Sequence, residues 1–263
     1  DSVMNYDTFM EPVTWYLTGM EKHSDAYHPE LMNNADFFLN LLKDKTPAFY
    51  GQSYQVAMNQ LSNHDHSRFL TRTNHKVGRV GELGSHAAEE GVSRSVFREA
   101  VTFMLTWHGA PTIYYGDEAG VCGFTDPDSR RTYPWGHEDQ ELIRFHKELI
   151  RIRKENPACR RGCSVWLLAD GGCISFGRFL DGNYVVTVLN NTEEGRRLVL
   201  PVWRLETPDG VLMNRQIMSV EDGITLEKTY YLVWNGEIEI FMPPYSAAVL
   251  NYKSEEAVWK DYQ

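Results

Sequence analysis

The chain has 263 residues, 42% of them apolar and 13% aromatic, which is ample for a buried core, fits one large or two ordinary domains, and excludes intrinsic disorder. Its formal net charge is −10, and acidic residues outnumber basic ones on both sides of Pro157, so a nucleic-acid partner is disfavoured. No apolar run approaches the roughly 20 residues of a membrane span, and four cysteines without a CxxC pair are too few for a disulfide scaffold.

Up to about Pro157, short apolar runs alternate with longer segments of helical period, the pattern of an α/β domain. Strands are expected at residues 3–5, 57–61 and 111–115. A helix is expected over 92–108, where Val96, Ala100 and Met104, flanked by Phe97, Val101 and Leu105, form a broad apolar stripe. Gly109 then stands where a helix C′ glycine would. Another helix, over 139–155, gathers Leu142, Phe145, Leu149 and Ile152 on one face and stops before Pro157.

After Pro157 the texture changes to short β-rich runs at 165–168, 174–179, 184–189, 198–202, 230–233, 238–242 and 247–252. AspGlyGly at 170–172, AspGly at 181–182 and AsnGly at 235–236 supply turns between them. The expected fold class is therefore α/β followed by an antiparallel β-sandwich, divided as 1–158 and 159–263. Three strands with crossover helices cannot close a parallel barrel, and so small an open sheet would expose an edge and a face. The first part is either a small stand-alone sheet or the tail of a larger domain. Cys122, Cys159, Cys163 and Cys173 read as reduced and structural, which leans toward a cytoplasmic setting. The chain opens on Asp1 without an initiating Met, so the missing secretory leader decides nothing about compartment.

Three stretches carry candidate chemistry. Asn63-His64-Asp65 directly follows the second strand, at the carboxyl end where parallel α/β folds assemble active sites. Asp65 can serve there as a carboxylate and His64 as a hydrogen-bond donor; alternatively, Asn63 and Asp65 only cap a turn. A metal on His64 and His66 is disfavoured, because alternate strand residues face opposite ways and no third ligand is suitably spaced. The run GAPTIYYGDEAG, residues 109–120, ends a strand in two tyrosines and the Asp117-Glu118 pair. Adjacent carboxylates seldom converge on one substrate atom, so this pair reads as a loop brace. In DPDSRRTYPW, residues 126–135, Asp126 and Arg130 beside Trp135 suit a sugar, by hydroxyl hydrogen bonds and ring stacking, or else form an ordinary surface loop.

Together and in this order, these stretches resemble the α-amylase superfamily of glycoside hydrolases. NHD resembles the region after barrel strand seven, and GAPTIYYGDEAG resembles strand eight with its GxPxIYYGxE signature. VMNYDTF resembles the strand-six motif, and MPPYSAAVL the closing strand of the family's sandwich domain. DPDSRRTYPW and LIRIRKENPACRRG are most similar to the neopullulanase, cyclomaltodextrinase and maltogenic amylase group.

The resemblance implies the last three βα units of a (β/α)8 barrel followed by the β-sandwich. It makes Asp65 the transition-state stabiliser of the catalytic triad. His64, Arg68, Asp126, Arg130, Tyr6 and Trp135 become substrate-binding residues, with Arg68 ordering the loop that carries His64 and Asp65. The partner implied is an α-glucan oligosaccharide. No cofactor or metal is indicated, calcium being left to regions of a full-length parent. The nucleophile and the acid/base residue of the family follow strands four and five, which have no match here. The 263 residues are thus expected to be a fragment or separately produced half, inactive alone, that associates with itself or with the missing half. A non-catalytic carbohydrate-binding or interaction protein on the same scaffold is the alternative.

Overall fold

A computed structural model describes residues 2–255 and 257. The outermost ends of the two expected domains, residue 1 and residues 258–263, lie outside the described residues.

Three extended segments run parallel in the first part. Met4 bridges Met58, with the Asn5 N–H donating to the Met58 carbonyl and the Met58 N–H to the Val3 carbonyl, both at 2.9 Å. β1 (Met58–Gln60) then pairs with β2 (Ala110–Thr112), Met58 lying opposite Ala110 and Gln60 opposite Thr112. All three are shorter than expected, because the chain leaves the ladder early to build the loops of one rim. The crossovers are helical. α1 (Glu11–Thr18), α2 (Ala35–Lys45) and α3 (Gly51–Gln55) precede β1. α4 (Phe69–Arg72), α5 (Val80–Leu83) and α6 (Arg94–Thr106) lie between β1 and β2, and α7 (Gln140–Glu155) and α8 (Pro157–Arg161) follow. Side-chain caps set three helix starts: Asn34 accepts from the Phe37 N–H at 3.0 Å, Ser93 from Val96 at 3.3 Å and Asp139 from Leu142 at 3.0 Å.

α6 is the wall shared by both parts, and its residues from Ser95 to Thr106 are all buried. It ends at Thr106, and Trp107 leaves it in an extended conformation, so Gly109 is not its C′ residue. Gly109 is needed for a different reason. It has φ +96°, and a Cβ there would lie 2.6 Å from Asn59 Nδ2 and 2.8 Å from the Ala57 carbonyl. The glycine therefore allows the backbone to pass against β1. A half-buried arginine, Arg153, and a fully buried one, Arg178, collect the carbonyls around the end of α6. Arg153 donates to Leu105, Trp107 and Cys159 at 2.9 to 3.0 Å and to Gly109 at 2.8 Å. Arg178 donates to Thr106 at 3.1 Å, Cys159 at 3.2 Å and Gly162 at 2.8 Å. Positive charge suits this negative end of the helix dipole.

The second part is antiparallel throughout. β3 (Cys163–Asp170), β4 (Cys173–Leu180), β5 (Asn183–Asn190), β6 (Arg196–Leu200), β7 (Leu212–Val220), β8 (Gly223–Thr225), β9 (Thr229–Leu232), β10 (Ile238–Met242) and β11 (Ser246–Lys253) follow in order. The large sheet runs β3-β4-β5-β11-β7-β8, with β9 also on β7, while β6 and β10 form a second sheet. The β4–β5 turn has left-handed Asp181 and Gly182, φ 45° and 79°, and the Asn235-Gly236 turn has φ 51° and 75°, as two-residue hairpins require. β11 is buried on both faces. Ala247 and Val249 join the core shared with Phe103 and Phe176, while Ala248 and Leu250 join the core under the second sheet.

All four cysteines are free thiols; Cys163 is exposed, and burial pushes Cys122, Cys159 and Cys173 up to about 11. No helix among the described residues is long and apolar enough to cross a membrane.

Gly109→Ala is expected to destabilise the fold by about 1 to 3 kcal/mol, because a strained φ and a clash combine. Gly136→Ala, at φ +78° with nothing near its Cβ position, should cost less. Urea unfolding of both variants checks the difference, and equal losses would contradict the close approach at Gly109.

Candidate active site

Tyr6, the turn from Asn63 to Asp65, and the run from Tyr115 to Asp117 follow the carboxyl ends of the three parallel segments and so share one rim. The turn is held from within and from the neighbouring loop. Asn63 Oδ1 accepts from the N–H groups of Asp65 and His66, each at 2.9 Å. Ser129 Oγ donates to the His64 carbonyl at 2.9 Å, Thr125 Oγ1 donates to the Asp65 carbonyl, and the Asp126 N–H donates to the same oxygen at 3.3 Å. The His64 and Asp65 carbonyls are thus directed into protein.

The Asp65 carboxylate is left to face outward, 53% exposed, with Oδ1 at 3.3 Å from His64 Nε2 and 3.7 Å from Arg130 Nη2. Arg130 Nε lies 2.6 Å from Asp126 Oδ1 and 3.2 Å from the His64 carbonyl. Four of the expected site residues, His64, Asp65, Asp126 and Arg130, therefore form one half-exposed cluster of an imidazole, two carboxylates and a guanidinium. The turn-capping reading holds for Asn63 and not for Asp65.

Arg68 has the surroundings of its expected loop-ordering role and not those of a residue that touches substrate. Its side chain has no exposure; Nε donates to the Ser129 carbonyl at 2.9 Å, and Nη1 donates to the Tyr115 carbonyl at 2.6 Å and to Asp117 Oδ1 at 2.9 Å. The Tyr114 and Tyr115 rings lie 4.1 and 4.9 Å from its guanidinium carbon. A side chain so enclosed cannot touch a ligand, and what it does is tie the loop after β1 to the loop after β2. Burial raises the Asp117 carboxyl above the ordinary aspartate value, and the Arg68 charge works against that shift. Glu118 accepts from the Gly116 N–H at 3.0 Å. Asp117 and Glu118 are thus loop braces.

Tyr6 adjoins the cluster, its hydroxyl accepting from Asn63 Nδ2 at 3.3 Å and its ring edge-on to His66 at 5.2 Å. Trp135 is 80% exposed and packs on Tyr133 at 4.5 Å, outside the ion pairs of the Asp65 cluster. Sequence reasoning passes over His23, Thr125 and Ser129. His23 Nδ1 lies 3.0 Å from Thr125 Oγ1, and its ring is 4.5 Å from that of His66. The three support the turn from segments distant in the chain, and no local spacing marks them. His66 is buried; that burial first, then the charges of His23 and Arg72, lower it to about 3.

A half-exposed carboxylate between an imidazole and a guanidinium, on a rim of parallel strands, can accept hydrogen bonds from vicinal hydroxyls and oppose a developing positive charge. The catalytic-domain model of the alpha-amylase family matches residues 2–135. The chain belongs to this family. Neopullulanase 2 of Thermoactinomyces vulgaris is 34% identical over 206 residues, which are 77% of this chain and 30% of that protein. A cyclomaltodextrinase of Thermoanaerobacter pseudethanolicus is 36% identical over 142 residues, 53% of this chain and 22% of that protein. The debranching enzyme of Nostoc punctiforme, 24% identical, superposes with a TM-score of 0.72 over 95% of this chain and 48% of its own, a likeness of fold. The chain thus spans less than half the length of each of these relatives.

Acid should weaken the fold in a defined window. His66 and His108, each lowered to about 3 chiefly by burial, stay neutral in the folded chain, whereas an unfolded histidine titrates near 6.5. As pH falls from about 6.5 toward 3, the unfolded chain binds protons that the fold refuses, so stability drops. His66→Phe should make this slope shallower in urea titrations across pH, and an unchanged slope in both His66→Phe and His108→Phe would contradict it.

Proposed function

We propose that this chain supplies the substrate-gripping side of a retaining glycoside hydrolase that cleaves α-glucosidic bonds in starch-derived oligosaccharides, cyclodextrins or pullulan. One observation carries the reading: Asp65 stands outward between His64 and Arg130 on the strand-end rim of an alpha-amylase-family fold. In this role Asp65 is the transition-state stabiliser, binding sugar hydroxyls most strongly as the ring takes on oxocarbenium character. His64 donates to the same hydroxyls. Arg130 and Asp126 hold the adjacent sugar, Tyr6 and Trp135 line the cleft, and Arg68 positions the turn.

In the same reading residues 1–158 are the last three βα units of an eight-unit barrel and 159–263 its sandwich domain. A retaining glycosidase needs a nucleophile and an acid/base carboxyl about 5 to 5.5 Å apart. Both come from barrel units outside these 263 residues. The lengths of the solved relatives support this, as does the edge of β2, which has no strand on its outer side among the described residues. Such an edge, with exposed Val3 and Met4 at the other side of the ribbon, favours association with the rest of a barrel or with a second copy.

The test compares the chain alone with the chain joined to the five preceding βα units of a family member. The chain alone should leave cyclodextrin, pullulan and starch intact, and the joined protein should hydrolyse at least one. Asp65→Asn in the joined protein should lower kcat/KM about 10²- to 10³-fold, the scale of losing one transition-state charge partner. Hydrolysis by the chain alone at enzyme-like rates, or an undiminished Asp65→Asn protein, would overturn the proposal.

A further inference from the structure

We propose that Asn235 is a latent site of spontaneous backbone modification and that the Asp209 carboxylate keeps it closed. Asn235-Gly236 is the only Asn-Gly pair in the chain. It forms the exposed turn between β9 and β10, with φ of 51° and 75°. A two-residue hairpin needs two left-handed residues, which is why Asn and Gly stand there. The same pair is chemically fragile. Once the Gly236 amide has given up its proton, its nitrogen can attack the Asn235 side-chain carbonyl carbon, forming a C–N bond and a five-membered succinimide as ammonia leaves. Water then opens the ring to aspartate or to isoaspartate, and in the second product the main chain runs through the former side chain. Glycine has no Cβ to obstruct the attack. Nothing in this chemistry rests on the role proposed for the Asp65 rim.

The attacking nitrogen is the one that the fold holds. The Gly236 N–H donates to Asp209 Oδ1 at 2.8 Å, and the Asn235 N–H donates to Asp209 Oδ2 at 3.2 Å, so a single carboxylate spans both amides of the turn. Removing the Gly236 proton would set an anion against that carboxylate, which like-charge repulsion opposes. Swinging the nitrogen toward the Asn235 side chain would also break a hydrogen bond to a charged acceptor, one of the stronger kinds. Gly236 is fixed on its other side as well. Its carbonyl accepts from the Trp203 N–H at 2.8 Å, and a Cβ on it would lie 2.7 Å from the Trp203 Cβ.

The position explains what the modification would do. β9 pairs with β7 in the large sheet and β10 pairs with β6 in the second sheet, so this turn is where the chain passes from one sheet to the other. Trp234 and Glu237 close it by a reciprocal pair of backbone hydrogen bonds at 3.0 and 3.1 Å. An isoaspartate adds a carbon to the main chain between them, and a two-residue turn has no slack to absorb it. The closing pair would be lost, and with it the register in which Ile238 and Ile240 enter the core under the second sheet. Asp209 comes from a separate loop, before β7, and is itself exposed, so its carboxylate is a clamp laid on the turn from outside.

The test is incubation of the chain in warm, mildly alkaline buffer, followed by peptide mapping that reads the amide-to-acid mass change and the isoaspartate content at residue 235. The same chain in urea supplies the unprotected rate. Folded, the parent chain should convert at least about tenfold more slowly than in urea, and Asp209→Ala should convert about tenfold faster than the folded parent, the equivalent of freeing one hydrogen bond to a charged group. Asp209→Asn, which keeps an acceptor oxygen without the charge, should lie between them. It also keeps the test valid if thermal melts show that Asp209→Ala has opened the hairpin. Asp209→Ala that has converted should melt below its unconverted form. A folded parent that converts as fast as the chain in urea, or Asp209 variants that convert no faster than the parent, would overturn the proposal; slower conversion in the variants would make Asp209 the base that drives the reaction.

Discussion

The Arg68 guanidinium lies wholly out of water, and a charge in that position persists only where the polypeptide supplies acceptors on several sides. Here the acceptors are the Ser129 and Tyr115 carbonyls and the Asp117 carboxylate, with the Tyr114 and Tyr115 rings within 5 Å of the guanidinium carbon. The three acceptors come from two loops that follow β2, while Arg68 itself follows β1. Displacing any one loop would strand the charge, so the loops are locked to one another. That lock is what permits Asp65, three residues before Arg68, to be half-exposed and yet fixed in direction. Electrostatic stabilisation of a reaction depends on groups that are already in place when charge develops. The buried cation thus contributes to chemistry it never touches.

A similar economy governs the junction of the two parts. α6 is buried along nearly its whole length because helices pack on one side of it and the large sheet on the other. Arg98 leaves its side to meet Glu141 of α7 at 2.8 Å and the Val220 carbonyl of β7 at 2.6 Å, while Arg153 and Arg178 gather the carbonyls at its end. These contacts are multidentate and directional, so they specify a single docking angle where apolar packing alone would accept several. The sheet side of the joint is hence part of the scaffold that presents the strand-end rim.

Much of this was legible in the sequence, for identifiable reasons. The helix over 139–155 announced itself because α7 has one apolar face and a polar remainder, an Asp139 cap and a following proline. Hairpins with AspGly and AsnGly turns were equally plain, since only those residues accept the left-handed pair. The α1 helix gave no such signal: it is buried nearly all round, and a helix without a polar face has no period to read. β7 was overlooked for the opposite reason, its centre being Asn214, Arg215 and Gln216, polar residues on a strand that pairs on both edges. In the candidate site, His64, Asp65, Asp126 and Arg130 could be named because each sits in a local motif. Arg68 could be named as a residue that orders its loop, but not as a buried one, because burial is a property of the assembled loops. His23, Thr125 and Ser129 act across as many as 102 positions of chain, and no window of sequence contains such a contact.

The distribution of thiols gives the molecule a single addressable point. With Cys122, Cys159 and Cys173 enclosed and held as neutral thiols at physiological pH, electrophiles find only Cys163. That residue opens β3, immediately after α8, where the backbone passes from the helical part to the sheets. A fluorophore or spin label attached there would report on the junction of the two parts while leaving the carboxylate rim chemically untouched, so the integrity of that junction can be followed without introducing a cysteine.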